Sequence, residues 1–205
     1  LLDGARSQEP ARHATLTGAI QWSWDLLDDA ERDVLARCSV MHDPFDLADV
    51  EAACSHLPSP WTAMKGLMDK SLVQRDAEHR FSLFESVRRF ARAELDDPGS
   101  TLHAHELSVL ERAEPLAARL GGFESLEALD ALEDVLDDLI AIIRTGTPSL
   151  VHRSARVVDA HLNHRKAPDL HLELLATTIE RCPGVEGRSW ALFKRHHVLR
   201  KRSLF

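Results

Sequence analysis

The stretch Leu72-Val73-Gln74-Arg75-Asp76-Ala77-Glu78-His79-Arg80-Phe81-Ser82-Leu83 is the one place in the chain where apolar residues alternate at period two instead of recurring at helical spacing. Leu72 and Val73 lead into a polar turn at Asp76-Ala77-Glu78. Phe81 and Leu83 then fall on one side of a returning segment, which predicts a small β-hairpin. Upstream, the signals are helical. A first helix is expected from about His13 to Leu27, its stripe carried by Leu16, Ile20 and the run Trp22 to Leu27, with Trp22 and Trp24 serving the core and its boundary. Asp28, followed by Glu31 three residues on, is a capping box that starts a second helix through Val34, Leu35 and Cys38. Pro44 stops it, and Asp46 caps a third helix with Leu47, Val50, Ala53 and Cys54. Ser59-Pro60 supplies a cap and a first-turn proline for a fourth, with Trp61, Met64, Leu67 and Met68 on one face. Downstream of the hairpin, Glu85 to Leu95 is helical again.

Short helices, one hairpin and a closing helix form the element order of a winged-helix domain, expected over residues 12–97 after a linker at 1–11. The polar run Asp96-Asp97-Pro98-Gly99-Ser100 marks its end. Everything beyond reads as helix: roughly Thr101–Leu120, Ser125–Arg144, Ser149–Asn163, Pro168–Cys182 and Arg188–Leu204. The short connections Gly121-Gly122 and Gly184-Val185-Glu186-Gly187 predict helical hairpins. The fold class is therefore mainly α: a winged helix followed by an α-helical, repeat-like domain over 101–205, although no internal period is legible.

The chain has 205 residues, 44% hydrophobic and 28% charged, with a net charge of −8. The balance is that of a globular protein, and the negative sign disfavours a general nucleic-acid binder. Three scattered cysteines suit a reducing compartment, so a cytoplasmic location is expected. The longest apolar run, Leu139 to Ile143, is too short to span a bilayer, and no membrane partner is expected. The chain begins Leu1-Leu2-Asp3 without an initiator Met, as an excised piece of a larger protein would.

Residue chemistry points away from catalysis. A phosphate-binding loop needs glycine-rich sequence opening a helix, usually with Lys-Ser/Thr after it, and Gly121-Gly122 is followed by Phe123-Glu124. His161 and His164 stand three apart on an expected helix with His171 one element later, but no carboxylate or cysteine completes a ligand spacing, and Arg165 and Lys166 would repel a cation. No G-x-S-x-G or other nucleophile motif occurs. The expectation is a non-enzyme without metal or cofactor. Glu124 to Asp138 carries seven acidic residues and no basic one. Residues 187–205 carry six basic residues and no acidic one, and could meet nucleic acid or cover that acidic helix.

Arg12-His13-Ala14-Thr15-Leu16 followed by Trp22-Ser23-Trp24-Asp25-Leu26-Leu27 resembles the opening of the winged-helix segment of the STAND signal-transduction ATPases, in particular the bacterial NB-ARC class of AfsR-like regulators. Glu31-Arg32, Leu35 to Val40, Leu67 to Val73 and Arg80 to Ala91 continue the likeness in order, over about residues 12–95. Asp137-Asp138-Leu139 is similar to the start of the helical-repeat region that follows in such proteins. The resemblance implies a winged helix that docks on the nucleotide-binding core of the same polypeptide and relays signals from a sensor region. The phosphate loop of that core would lie before Leu1, so this piece alone should not hydrolyse ATP. The family's Met-His-Asp motif aligns with Leu83, Phe84 and Glu85, and Phe84 cannot donate a hydrogen bond to phosphate. Met41-His42-Asp43 spells the motif but precedes the third helix, and is read as coincidence.

The resulting reading is a non-catalytic regulatory fragment, its docking face expected at Phe84, Glu85 and Arg88. Arg88 would point toward the core, within reach of Glu85 at i to i+3, and Arg89 would face solvent. A protein partner on the helical domain is also expected, while DNA is disfavoured. Two alternatives stand beside it. One is a winged-helix DNA-binding domain using Pro60 to Lys70, with Lys65 and Lys70 among Trp61, Met64, Leu67 and Met68. The other is a stand-alone helical adaptor.

Overall fold

A computed structural model describes residues 9–120 and 125–202 and divides the chain into two units, residues 1–101 and 102–205. In the first unit α1 (Glu9–Asp25), α2 (Asp29–Cys38), α3 (Leu47–Ala53) and α4 (Pro60–Asp69) precede an antiparallel hairpin of β1 (Gln74–Arg75) and β2 (Phe81–Ser82), and α5 (Glu85–Ala93) closes it. This is the expected winged-helix arrangement.

Local chemistry sets each boundary. The Asp28 carboxylate accepts the Glu31 N–H at 2.8 Å, and the Glu31 carboxylate accepts the Asp28 N–H at 2.9 Å, so the capping box forms as read. Asp46 and Asp49 make a second one at the start of α3. Glu31 is buried and also takes the Lys70 ammonium at 2.5 Å, tying α2 to the end of α4. Gly66 allows this approach, since a Cβ there would sit 2.1 Å from Glu31 Oε1. Pro60 opens α4 as expected, but Ser59 does not cap it; its hydroxyl bonds Thr62 Oγ1 at 2.8 Å. At the hairpin tip the Asp76 carboxylate accepts the N–H groups of Glu78 and Arg80 at 2.9 and 2.8 Å, bracketing His79 at φ 67°. Phe81 pairs with Arg75 across the hairpin and forms an antiparallel bridge with Phe45 on its other side, at N–O distances of 2.9 and 2.7 Å.

The core of this unit gathers Ile20, Trp24, Val34, Leu35, Phe45, Met64, Leu67, Phe81, Val87 and Ala91. Trp24 meets Phe90 edge-on at 5.6 Å. Trp22 does not join them: it is 67% exposed, whereas Trp24 is 9% exposed. Residues two positions apart on a helix differ by about 200° in direction, so a face set by Ile20 and Trp24 turns Trp22 outward. Trp22→Ala is accordingly expected to change unfolding free energy by less than about 0.5 kcal/mol, which urea denaturation would measure. The expected linker also differs, because residues 9–11 already belong to α1, while residues 1–8 lie outside the described residues.

The second unit begins within α6 (Pro98–Arg119) and continues through α7 (Ser125–Glu133), α8 (Leu136–Arg144), a 3-10 turn (Pro148–Leu150), α9 (Val151–Arg165), α10 (Pro168–Arg181) and α11 (Val185–Arg202). Helices α8 to α11 pack each on the next. The Gly121-Gly122 connection lies outside the described residues. The single helix expected over 125–144 is two. No proline or glycine marks the break; a turn at Val135, whose N–H bonds the Leu132 carbonyl at 3.3 Å, re-aims the second half so that Leu139, Ile140, Ile142 and Ile143 are all buried. The final helix starts at Val185, before the expected Arg188, because Gly187 is not a turn residue. A Cβ at Gly187 would come within 2.3 Å of Cys182 Sγ, so this glycine permits close packing in the first turn of α11.

Side chains from other helices finish the helix ends. The Arg181 guanidinium, from α10, donates to the carbonyls of Ile142, Ile143 and Gly146 at 3.0, 2.7 and 2.5 Å, satisfying the C-terminal end of α8. From the other side the buried Glu106 carboxylate accepts the Thr147 N–H at 3.0 and 3.2 Å. Asp159 of α9 binds His171 of α10 at 2.9 Å and Lys194 of α11 at 2.7 Å, joining three helices through one carboxylate.

Candidate functional site

Helix α4 turns Ala63, Met64 and Leu67 inward, and so presents Thr62, Lys65 and Asp69 outward with Trp61 at the edge, 38% exposed. The hairpin adjoins it: the Arg75 guanidinium lies 5.8 Å from the Trp61 ring centre and 5.9 Å from that of Phe81. Trp61 itself packs against Phe81 at 6.4 Å. One seam therefore carries a helix face, an aromatic ring and two exposed cations, Lys65 and Arg75. Lys70, expected among the contact residues of this helix, is engaged with Glu31. Met64 and Leu67, also named there, are fully buried. Sequence reading missed Arg75; its place in the alternating stretch gave a strand, but only the fold brings that strand beside Trp61.

The three residues expected at a docking face separate. Phe84 is 50% exposed and Glu85 is exposed. Arg88 turns into its own domain: Nη1 donates to the carbonyls of Ser39, at 3.1 Å, and Met41, and Nη2 faces the Asp43 carboxylate. Arg88 thus meets the C-terminal end of α2, where a cation is favoured, and the expected reach to Glu85 gives way to these acceptors. Arg89 is exposed. Asp43 also accepts the Leu83 N–H at 3.2 Å, so the residue set aside with Met41-His42-Asp43 fastens the start of α5 to the end of α2. Arg88→Ala should lower stability by about 2 kcal/mol by leaving those carbonyls and Asp43 without their donor, an effect readable in chemical denaturation.

Other residues that carry reactive chemistry are occupied structurally. Cys38 and Cys54 are buried; burial first, then neighbouring charge, pushes the Cys38 thiol up and the Cys54 thiol up to about 12, so neither is a thiolate at neutral pH. His161 and His171 point to different partners. His161 Nε2 lies 3.5 Å from Glu133, and burial holds its ring below the ordinary histidine range, while His171 is bound to Asp159. His164 is exposed. Among the described residues no group of three or more His, Cys, Asp or Glu is placed to hold a metal. The acidic helix α7 is met by Arg165, at 2.8 Å from Glu133, and Arg119, at 3.9 Å from Glu127. In the basic final helix Lys194 pairs with Asp159 and Arg202 with Asp169. No described helix is long and apolar enough to cross a membrane.

Residues 27–96 match the family of winged helix-turn-helix domains. Over 112 residues the chain is 35% identical to a provisionally named HTH-type transcriptional regulator of Mycobacterium bovis and to two so named from strains of Mycobacterium tuberculosis. The alignment covers 51% of this chain and 13% of each relative, so the chain spans a small part of the length of those proteins. No solved structure matches. The N-terminal unit is thus a winged-helix domain related to HTH-type transcriptional regulators, followed by further helices. Neither comparison describes an ATPase or NB-ARC segment. The disfavouring of DNA from net charge is overturned: the family match and these relatives return DNA to the candidate partners. Net charge over 205 residues averages away the local balance on one helix face, which is what a groove would meet.

Proposed function

We propose that this chain is part of a transcriptional regulator in which the winged helix contacts DNA through α4 and the hairpin. The observation that carries the reading is the seam formed by Thr62, Lys65 and Trp61, on the helix that a winged helix-turn-helix places in the major groove, with Arg75 of the hairpin laid beside them. Lys65 and Arg75 would meet phosphates, and Thr62 a base edge. Asp69 on the same face keeps the electrostatic contribution small, so affinity for arbitrary duplex should fall near Kd ~10⁻⁴–10⁻⁶ M. Fluorescence anisotropy of a labelled duplex, titrated across salt, tests this. Lys65→Ala and Arg75→Ala should each weaken binding and flatten the salt dependence by about one unit of slope. Absence of salt-dependent binding at low ionic strength would sink the proposal.

A second reading, docking of the winged helix on a nucleotide-binding core elsewhere in the same polypeptide, is favoured by a different observation. Trp22, Leu26 and Phe84 are 67%, 57% and 50% exposed, apolar surface that a phosphate backbone would not cover. Phe84 and Glu85 would lie on that docking face, with Arg88 holding the start of α5 behind them. In a full-length regulator, Phe84→Ser that alters basal output without altering duplex affinity would favour docking over DNA contact.

A further inference from the structure

The second unit carries a groove of about 590 Å³ where the α9–α10 turn meets the last turns of α11. Small-molecule sites commonly occupy about 300–1,000 Å³. Leu162, Ala167 and Val198 give it an apolar lining, Lys166, Lys201 and Arg202 give it a basic rim, and no residue lining it is acidic. The neighbouring carboxylates are already engaged. Asp169 holds Arg202 at 2.7 Å, and Asp159, behind the lining residue His171, holds both that ring and Lys194. Lys166 and Lys201 form no ion pair among the described residues. The Lys166 backbone is fixed at the mouth of the groove: it ends α9 in the left-handed conformation, φ 54°, with its N–H on the Leu162 carbonyl at 3.0 Å.

We infer that this groove binds a small anionic amphiphile, its carboxylate or phosphate headgroup held between Lys166 and Lys201 and its apolar body laid over Leu162, Ala167 and Val198. An apolar lining alone would take a neutral hydrophobe, and two lysines alone would hold a screened, loosely bound anion; together they select a molecule with both features. The site is confined to the second unit and is independent of the DNA reading.

Calorimetric titration of the chain with octanoate, octyl phosphate, octanol and inorganic phosphate tests it. One equivalent of octanoate or octyl phosphate should bind with Kd below about 1 mM, and octanol and inorganic phosphate should each bind at least about tenfold more weakly. The tighter of the two amphiphiles identifies the headgroup. The double variant Lys166→Glu with Lys201→Glu should weaken binding at least about tenfold. The double variant Arg188→Glu with Arg195→Glu makes the same change in net charge at two exposed positions of α11 that do not line the groove, and should leave it unchanged. Equal binding of octanol and octanoate, equal loss in both double variants, or no binding of either amphiphile below about 1 mM would overturn the inference. The comparison of charged and neutral ligands uses the unaltered chain, so it decides even where a variant fails to fold.

Discussion

Phe81→Ala should destabilise the first unit by about 4 kcal/mol, as measured by urea denaturation. The ring is 1% exposed and packed between Phe45, at 6.0 Å, and Trp61, at 6.4 Å, so truncation removes aromatic contacts on two sides and leaves a cavity that short strands cannot close. The backbone around it compounds the loss. Phe81 pairs with Arg75 on one edge and Phe45 on the other, and strands of two residues have few further bonds to hold that register. Phe81→Leu retains much of the buried volume and should cost appreciably less. Equal losses for the two variants would show that the aromatic stack contributes little. The same substitution frees Trp61 and Arg75, so Phe81→Ala should also weaken any duplex binding that Lys65→Ala weakens.

Asp159→Ala should cost about 3 kcal/mol in the second unit, because it strips one buried carboxylate from two partners on two other helices. Lys194 is 30% exposed and can turn to solvent, which limits the loss; His171, at 5%, has less freedom. Burial works to raise the Asp159 carboxyl, but hydrogen bonds from His171 and Lys194 outweigh it and hold the group below its ordinary 3.8. The sign of the pH effect follows. A depressed carboxyl contributes stability at pH above its unfolded value of 3.8, and that contribution is lost as pH falls through the lower folded value. Asp159→Asn, which cannot ionise, should therefore differ most from the unaltered chain at neutral pH and converge toward it on acidification below about pH 4. A difference independent of pH would rule out the ionised carboxylate as its source.

These two cases divide what sequence could and could not tell. Phe81 was legible because period-two alternation and a polar turn are local signals, and the capping box at Asp28 and the cap at Asp46 were legible because their donors and acceptors lie within three residues. Asp159, His171 and Lys194 were not, since nothing local marks a carboxylate that will meet groups 12 and 35 residues away. The break at Val135 escaped for the same reason: it satisfies tertiary packing and leaves no proline or glycine. At the candidate interface, Lys65 could be read from helical spacing, whereas Arg75 acquires meaning only when the hairpin lays it over Trp61. Trp22 misled because aromatic content was read without its direction on the helix. Arg88 was assigned outward because only its own helix was considered, and its acceptors belong to α2 and the segment that follows it.

The clasp of Arg181 on α8 bears on how this stretch tolerates changes in chain length. One guanidinium reads carbonyls at Ile142, Ile143 and Gly146, while Glu106 grips Thr147 from the opposite side, so the spacing between residues 142 and 147 is gauged by two rulers at once. A single inserted residue there would throw one ruler out of register whichever way the backbone adjusted. Surface loops ordinarily accommodate such insertions cheaply. This connection should behave instead like the interior of a helix, fixed in length even where its side chains are free to drift.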